Sequence, residues 1–353
     1  MDEGLKSLRE ALLEDSPVTA ASKGEAFDCS LVVPIFNDGS LAQAFCAEVE
    51  MSVIPAIPGN RCEVVFVNDG SRNDSQAQLE LVAARYPWVS VIELSRNFGQ
   101  HAAVVCGYRY ATGNYVAMLN VDMQDPPAQV PVLLERLEEE NADIALGLRQ
   151  GRNDPFFTKV GSLAFNWTLN FLTNSDVPLN SASLRVMNRR FLKAFLTFGE
   201  HNPYIPGLET WLGFRRVYVP IPHQSRREGK SSYSFRSRLR LAFHCILSFS
   251  DYPLQLMTAV GFGSVALGIL WGAYAIGVRL MNPNAQTGFA SLLSAIVIFG
   301  GLNLAGLGIA SLYIGRILTE VQRRPTFVVR SIKSQVANSE SRGRLIDESV
   351  CIS

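Results

Sequence analysis

The residues best equipped for chemistry in this chain stand directly behind apolar runs. They are Asn37 and Asp38; Asn68 and Asp69 with Gly70 and Ser71; Arg96 and Asn97; and Asn120, Asp122 and Gln124 within LNVDMQDPP (119–127). Acids and amides of this kind offer hard oxygen ligands to a cation and acceptors to hydroxyl groups. Carboxylates gathered on one rim repel one another unless a cation or a hydroxyl-rich ligand lies between them, and a nucleotide with a divalent metal would supply both. Taken singly, each position reads equally as a turn or a cap: Asp69-Gly-Ser is an ordinary turn, and Asn73 or Asp74 could begin a helix. LNVDMQDPP itself looks like a metal-binding loop with one carboxylate missing, Asn120 standing where a paired acid would be expected.

These residues need elements to bring them together. Between residues 29 and 148, apolar runs (CSLVVPIF, CEVVFVN, VSVIEL, NYVAMLN, DIALGL) alternate with helix-like stretches at 40–53, 73–86, 99–111 and 128–140. Continuous β-branched runs alternating with helices predict an α/β domain, Rossmann-like, with a mostly parallel sheet covered on both faces. Ligands bind beyond the carboxyl ends of the strands in such sheets, so four consecutive strand ends are expected to converge on one edge. No GxGxxG follows the first run and no GxxxxGK[ST] occurs, which removes support for a dinucleotide fold or a P-loop. Metal and arginine are left to neutralise phosphates.

The 353 residues carry no formal net charge, so no global electrostatic argument for nucleic-acid binding exists. Six scattered cysteines have neither zinc spacing nor the density of a disulfide scaffold, and read as reduced core residues. The stretch 1–27 has acids and no apolar h-region, so it reads as a mobile tail and not a signal peptide. Residues 253–280 hold one charge, Arg279, and residues 288–315 hold none; each is long enough to cross a bilayer, with buried core helices as the alternative. The short uncharged link MNPNAQT makes the pair a hairpin. Arginines and lysines crowd both flanks (Arg226, Arg227, Lys230, Arg236, Arg238, Arg240; Arg316, Arg323, Arg324, Arg330, Lys333), which puts both flanks and the N-terminal domain in the cytosol. Gly301 with Ala305 and Gly306 with Ala310 would let the two helices approach closely. Residues 234–252 alternate arginines with Leu, Phe and Ile, as an interfacial amphipathic helix does, or an ordinary helix packed on the domain.

Several stretches together resemble the inverting GT-A glycosyltransferases of family 2, and within them the polyprenyl-phosphate glycosyltransferases. They are VVPIFND (32–38), VNDGSRNDS (67–75), LSRNFGQHAAVVCGYRYATGNYVAMLNVDMQDPP (94–127), GLRQGRNDPFF (147–157), SLRVMNRR (183–190), RREGKSSYSF (226–235) and YIGRILTEVQRRPTF (313–327). The resemblance covers about residues 29 to 330. It implies a GT-A sheet followed by an interfacial helix and a two-helix transmembrane hairpin, divided as 28–233, 234–252 and 253–315, with 316–353 a cytosolic tail.

The same resemblance implies roles. Pro34, Phe36 and Asp38 fall at nucleoside contacts, Asp69 at the acid that reads the base, and Asn97 and Asn120 on the nucleotide side, Asn120 near the ribose. In the family pattern DxDxQ the second acid and the Gln hold the metal, here Asp122 and Gln124 with Mg²⁺ or Mn²⁺. Arg149 and Arg152 match the arginine-bearing active-site loop. Arg185, Arg226, Ser231 and Tyr233 match positions for the acceptor and its phosphate. Asp125 is either a general-base-like or sugar-positioning acid, or an N-terminal helix acid before Pro126. His101 reads as a helix-start residue packed near the site. The chain departs from the family at Asp38 (usually Glu), Asn68, Asn120, Ser232 (usually Lys), Leu312 and LNSA (179–182).

The resulting expectation is a bacterial inner-membrane enzyme with its catalytic domain in the cytosol. It would move one sugar from a nucleotide-sugar, a UDP-sugar by preference, to a polyprenyl phosphate, and a homo-oligomer is compatible with the hairpin. A catalytically silent relative is the competing reading, motivated by Asn68, Asn120 and Ser232. A processive polysaccharide synthase would resemble a chain with more spans and a QxxRW motif, which is absent.

Overall fold

In the computed structural model, residues 27–150, 181–200, 203–222, 252–281 and 288–334 are described. The first four apolar runs form parallel strands β1 (Cys29–Ile35), β2 (Cys62–Asn68), β3 (Val89–Leu94) and β4 (Tyr115–Met118), and β2 is buried at all seven positions. The helix-like stretches become α1 (Ala42–Glu48), α2 (Ser75–Arg85), α3 (Gln100–Tyr110) and α4 (Gln129–Glu139). Strands that are apolar on both sides require cover on both faces, and these crossover helices supply it.

Beyond β4 the chain departs from simple alternation. With β5 (Ile144–Gln150), β6 (Ser181–Asn188), β7 (Arg216–Pro222) and β8 (Val329–Ser334), the eight strands run in the order β7-β5-β6-β4-β1-β2-β3-β8. The predicted fifth strand, β5, therefore does not lie beside β4: β6 inserts between them, antiparallel to both. The mostly parallel expectation holds across β4-β1-β2-β3 and again at β5-β7. Two short helices, α5 (Arg189–Phe195) and α6 (Ile205–Trp211), link β6 to β7 and bury Phe191, Phe195 and Leu208.

The C-terminal region differs more. Helix α7 (Tyr252–Met281) has 30 residues and α8 (Phe289–Val321) has 33, so the second helix runs past the expected limit at residue 315. Both are long and apolar enough to cross a membrane, over Leu254–Tyr274 and Ile298–Val321, and neither window is buried in the fold. Phe262, Trp271 and Leu304 are each more than 60% exposed, which excludes the buried-core alternative. A Cβ on Gly306 would come within 3.1 Å of the Met257 side chain, so this small residue sits against α7 as expected, whereas Gly301 faces open space.

Part of the segment expected to be a tail is instead a strand of the sheet. β8 pairs antiparallel with β3, Ser90 opposite Ser334 and Ile92 opposite Ile332. The stretch VRSIKS has only two apolar residues, Val329 and Ile332, spaced three apart and not in strand alternation, so it carries no strand signal after a long apolar segment. Cys29, Cys46, Cys62 and Cys106 are buried free thiols, as expected; Cys245 and Cys351, the 1–26 tail and the 234–251 amphipathic segment lie outside the described residues.

Candidate active site

The carboxyl ends of β3, β2, β1 and β4 form one continuous edge, and β5 runs in the same direction as β4 because each is antiparallel to β6. Arg149 at the end of β5 and Ser183 near the start of β6 therefore arrive at the edge that carries Asp69, Asn120 and Asp122. Strand order alone brings these groups together.

At the β1 and β2 ends, two turns are stitched to each other. Asn37, in the left-handed region at φ 64°, accepts the Arg72 N–H on its side chain at 2.9 Å and donates its own N–H to Ser71 Oγ at 2.9 Å. Pro34 is half-buried in β1, while Phe36, 41% exposed, and Asp38 open towards solvent beside it. Asn68, one of the departures from the family pattern, accepts the Ser71 N–H at 3.0 Å and donates to Gln76 Oε1 at 2.8 Å. A carboxylate could not make that second bond, so the amide suits this place.

Asp69 is buried, and its two oxygens accept the backbone N–H groups of Phe98 (2.7 Å) and Gly99 (2.9 Å). Burial raises its carboxyl above the usual range, opposed by these two donors and by nearby Arg96. Each oxygen keeps a further acceptor position for a ligand. Gly70 must be glycine: its φ is +62°, and a Cβ there would lie 2.4 Å from the Arg96 carbonyl carbon. The turn after β2 thus crosses directly over the loop after β3, where Asn97 is exposed and Arg96 lies over the Phe98 ring at 4.2 Å.

The β4 end carries the polar run 120–125. Asn120 accepts from Gln100 Nε2 at 3.1 Å and donates to Ser183 Oγ at 3.0 Å, linking the start of α3 to β6. Met123 is buried in the left-handed region at φ 54°, between the half-buried Asp122 and Gln124. The Gln124 backbone N–H donates to Asp122 Oδ1 at 3.3 Å, closing a tight turn between the two residues. Among the described residues no group of three His, Cys, Asp or Glu forms a ready-made metal cage.

Asp125 is almost fully buried and takes a two-point fork from Arg149, with Nε to Oδ1 at 2.8 Å and Nη2 to Oδ2 at 3.0 Å. The Ser183 N–H adds a third bond to Oδ2 at 2.9 Å. The helix-acid alternative for Asp125 does not fit: α4 begins at Gln129 with no acid in its first turn, and the carboxylate is bonded to Arg149 and Ser183 instead.

Arg185 is placed elsewhere than at an open phosphate contact. It is 7% exposed, its Nη1 donates to both Glu209 oxygens at 2.8 and 2.9 Å, and its Nε donates to the Ser183 carbonyl at 3.1 Å. A guanidinium already neutralised by a buried carboxylate supports the β6 backbone from behind. Tyr108, fully buried nearby, keeps its hydroxyl without a partner among the described residues. His101 sits at the start of α3 with its ring edge-on to Tyr204, at 5.9 Å; burial and then Arg185 push its imidazole down to about 4, so it is neutral near pH 7. Arg152, Arg226, Ser231 and Tyr233 lie outside the described residues.

Ser183 and Glu209 escape a reading of sequence. Ser183 holds three site residues through its backbone and hydroxyl, yet is one serine in a strand, and Glu209 lies in a short helix where an exposed acid is the ordinary expectation.

A family profile described as "Glycosyl transferase family 2" matches residues 30–196. The "Uncharacterized glycosyltransferase YkcC" of Bacillus subtilis is 30% identical over 301 residues, covering 85% of this chain and 93% of that one. The "Prophage bactoprenol glucosyl transferase homolog" of Escherichia coli is 29% identical, covering 86% of this chain and 99% of that one. The "Undecaprenyl-phosphate 4-deoxy-4-formamido-L-arabinose transferase" of Klebsiella pneumoniae is also 29% identical, covering 87% and 94%. The strand-end site, the sheet order and these matches agree: the chain belongs to glycosyl transferase family 2, and is a glycosyltransferase of the GT-A fold.

Proposed function

We propose that this enzyme transfers one sugar from a nucleotide-sugar, a UDP-sugar, to polyprenyl phosphate at the cytosolic face of a bacterial inner membrane, with inversion at the anomeric carbon. One observation carries the reading: the strand-end site belongs to a sheet whose last strand, β8, begins at Val329, a short link after a membrane-length helix that ends at Val321. A lipid phosphate in the adjacent leaflet is an acceptor of the right location, and the relatives named for bactoprenol and undecaprenyl phosphate support it.

The acceptor phosphate is an anion at neutral pH and attacks without a strong base. The chain's task is to hold two anionic substrates together and to accept the charge that develops on the departing diphosphate. Asp125 orients Arg149 for this: with both oxygens on the guanidinium and one on the Ser183 N–H, its carboxylate is occupied as a positioning group. In this reading Asp69 meets the base and Asn120 the ribose, with Pro34, Phe36 and Asp38 as further nucleoside contacts and Asn97 on the nucleotide side.

Asp122 and Gln124 would hold the divalent cation. A carboxylate and an amide oxygen, from two residues of one tight turn, are hard ligands that would suit Mg²⁺ or Mn²⁺, with diphosphate and water as further oxygen donors. The cation, when bound, neutralises the leaving diphosphate. Arg152 belongs with Arg149 in this reading, and Arg226, Ser231 and Tyr233 with the acceptor phosphate.

The test is purified protein with undecaprenyl phosphate, Mg²⁺ or Mn²⁺ and a panel of UDP- and GDP-sugars. Nucleotide diphosphate release that depends on lipid and disappears in Asp122→Ala is the expected result. Tight nucleotide binding without turnover across the whole panel would replace this reading with that of a silent relative.

A further inference from the structure

We infer that Arg330 is a positioning residue for the donor loop, acting from the strand that follows the membrane hairpin; this rests on the nucleotide reading of the β3 end. β8 carries a bulge: Glu93 is opposite Ser331 and Leu94 is opposite Val329, so Arg330 is the extra residue. A bulge re-aims the side chain it contains. Here Arg330 Nη2 donates to the Ser95 carbonyl at 2.9 Å and Nη1 to Glu93 Oε1 at 2.8 Å, while Ser331 Oγ donates to Glu93 Oε2 at 3.0 Å. The Ser95 N–H donates to the Val328 carbonyl at 2.8 Å. Both backbone groups of Ser95 are thus committed to residues 328–330.

Ser95 is where the loop to α3 begins. At the far end of that loop Asp69 takes the N–H groups of Phe98 and Gly99. The segment Arg96–Gly99 is therefore held from two sides, by an acid of the site and by an arginine that reads in sequence as one more cationic flank of the hairpin. The link to the hairpin is short: α8 ends at Val321, and six residues later Phe327 packs into the core beneath Arg109, whose guanidinium lies 5.4 Å from its ring centre. Six residues reach about 20 Å at most, so the seat of the second membrane helix and the seat of the donor loop are mechanically joined.

The bland alternative is an exposed edge-strand ion pair, which contributes little to anything. Lys333 provides the comparison, since it lies on the same strand but directs its charge to Glu80 on α2.

Full-length Arg330→Ala, Arg330→Lys and Lys333→Ala proteins in detergent would be compared by amide hydrogen exchange of the 94–100 segment and by donor and acceptor kinetics. Arg330→Ala is expected to speed exchange at Phe98 and Gly99 and to raise the donor KM about five- to tenfold, the scale of one hydrogen bond, with kcat and acceptor KM within about twofold. Arg330→Lys should recover part of both effects, and Lys333→Ala should match the parent. Equal exchange in Arg330→Ala and the parent, or equal changes in Arg330→Ala and Lys333→Ala, overturns the inference. Should Arg330→Ala fold poorly, Glu93→Gln loosens the same clamp and is expected to give the same pattern in smaller degree. If the parent turns over no donor, the exchange comparison still decides the role of Arg330, and the missing turnover counts against the transfer reading alone.

Discussion

Arg149 grips Asp125 as a two-point fork, at 2.8 and 3.0 Å, across 24 residues of chain. Two candidate site residues are thereby one unit, whose third bond comes from the Ser183 backbone. Such a unit presents a guanidinium in one orientation, which a flexible surface arginine does not.

Asp125→Asn breaks the fork, because an amide nitrogen faces one guanidinium N–H with a donor. Transfer kcat/KM should fall about a hundredfold, the scale of a small displacement of a catalytic group. Nucleotide affinity measured by calorimetry should change little. A variant of normal kcat/KM would remove Arg149 from the machinery.

Asn120→Asp should leave activity within about tenfold, roughly 1.4 kcal/mol. Both neighbours, Gln100 and Ser183, can donate, so a carboxylate finds partners where the amide did. Steady-state kinetics decide this, and a rise from no activity to substantial activity would revive the view of a dead site.

Glu209→Gln leaves the buried Arg185 without its counter-charge. The cost should be about 3 kcal/mol, seen as a lower thermal midpoint in detergent. The double variant with Arg185→Met should recover much of it, since no unpaired charge is then left in the core. A single variant as stable as the parent would show that the pair is dispensable.

His101 titrates at about 4 in the fold against an ordinary 6.5, burial being the main cause and Arg185 the second. Its folded value is depressed, so its contribution to stability is present above pH 6.5 and is lost as the pH falls towards 4, where the unfolded chain takes the proton first. His101→Phe, which keeps an aromatic ring against Tyr204, should flatten the loss of thermal midpoint between pH 7 and pH 4.5. An unchanged slope would exclude His101 as its source.

Much of this architecture is legible in one dimension because its signals are local. Runs such as CEVVFVN become strands buried on both faces, and the polar residues behind them arrive at the carboxyl edge, because a right-handed crossover leaves little choice of geometry. The two apolar helices are likewise evident from length and composition alone. The left-handed turn at Gly70 is legible only as a turn; its contact with the Arg96 backbone is not.

The sequence by itself determined the class of sheet, the edge on which the candidate site residues gather and the presence of two apolar helices of membrane length, since periodicity and apolar length act over ten to thirty residues. Tertiary structure alone decided which charges meet. Arg149 is joined to Asp125, Arg185 is withdrawn to Glu209, and Arg330 reaches Glu93 across 237 residues, because strand order, the insertion of β6 and the addition of β8 at the edge set those distances. An arginine reads the same in sequence whether it will face a phosphate, a buried carboxylate or a loop carbonyl; the partner is chosen by the fold.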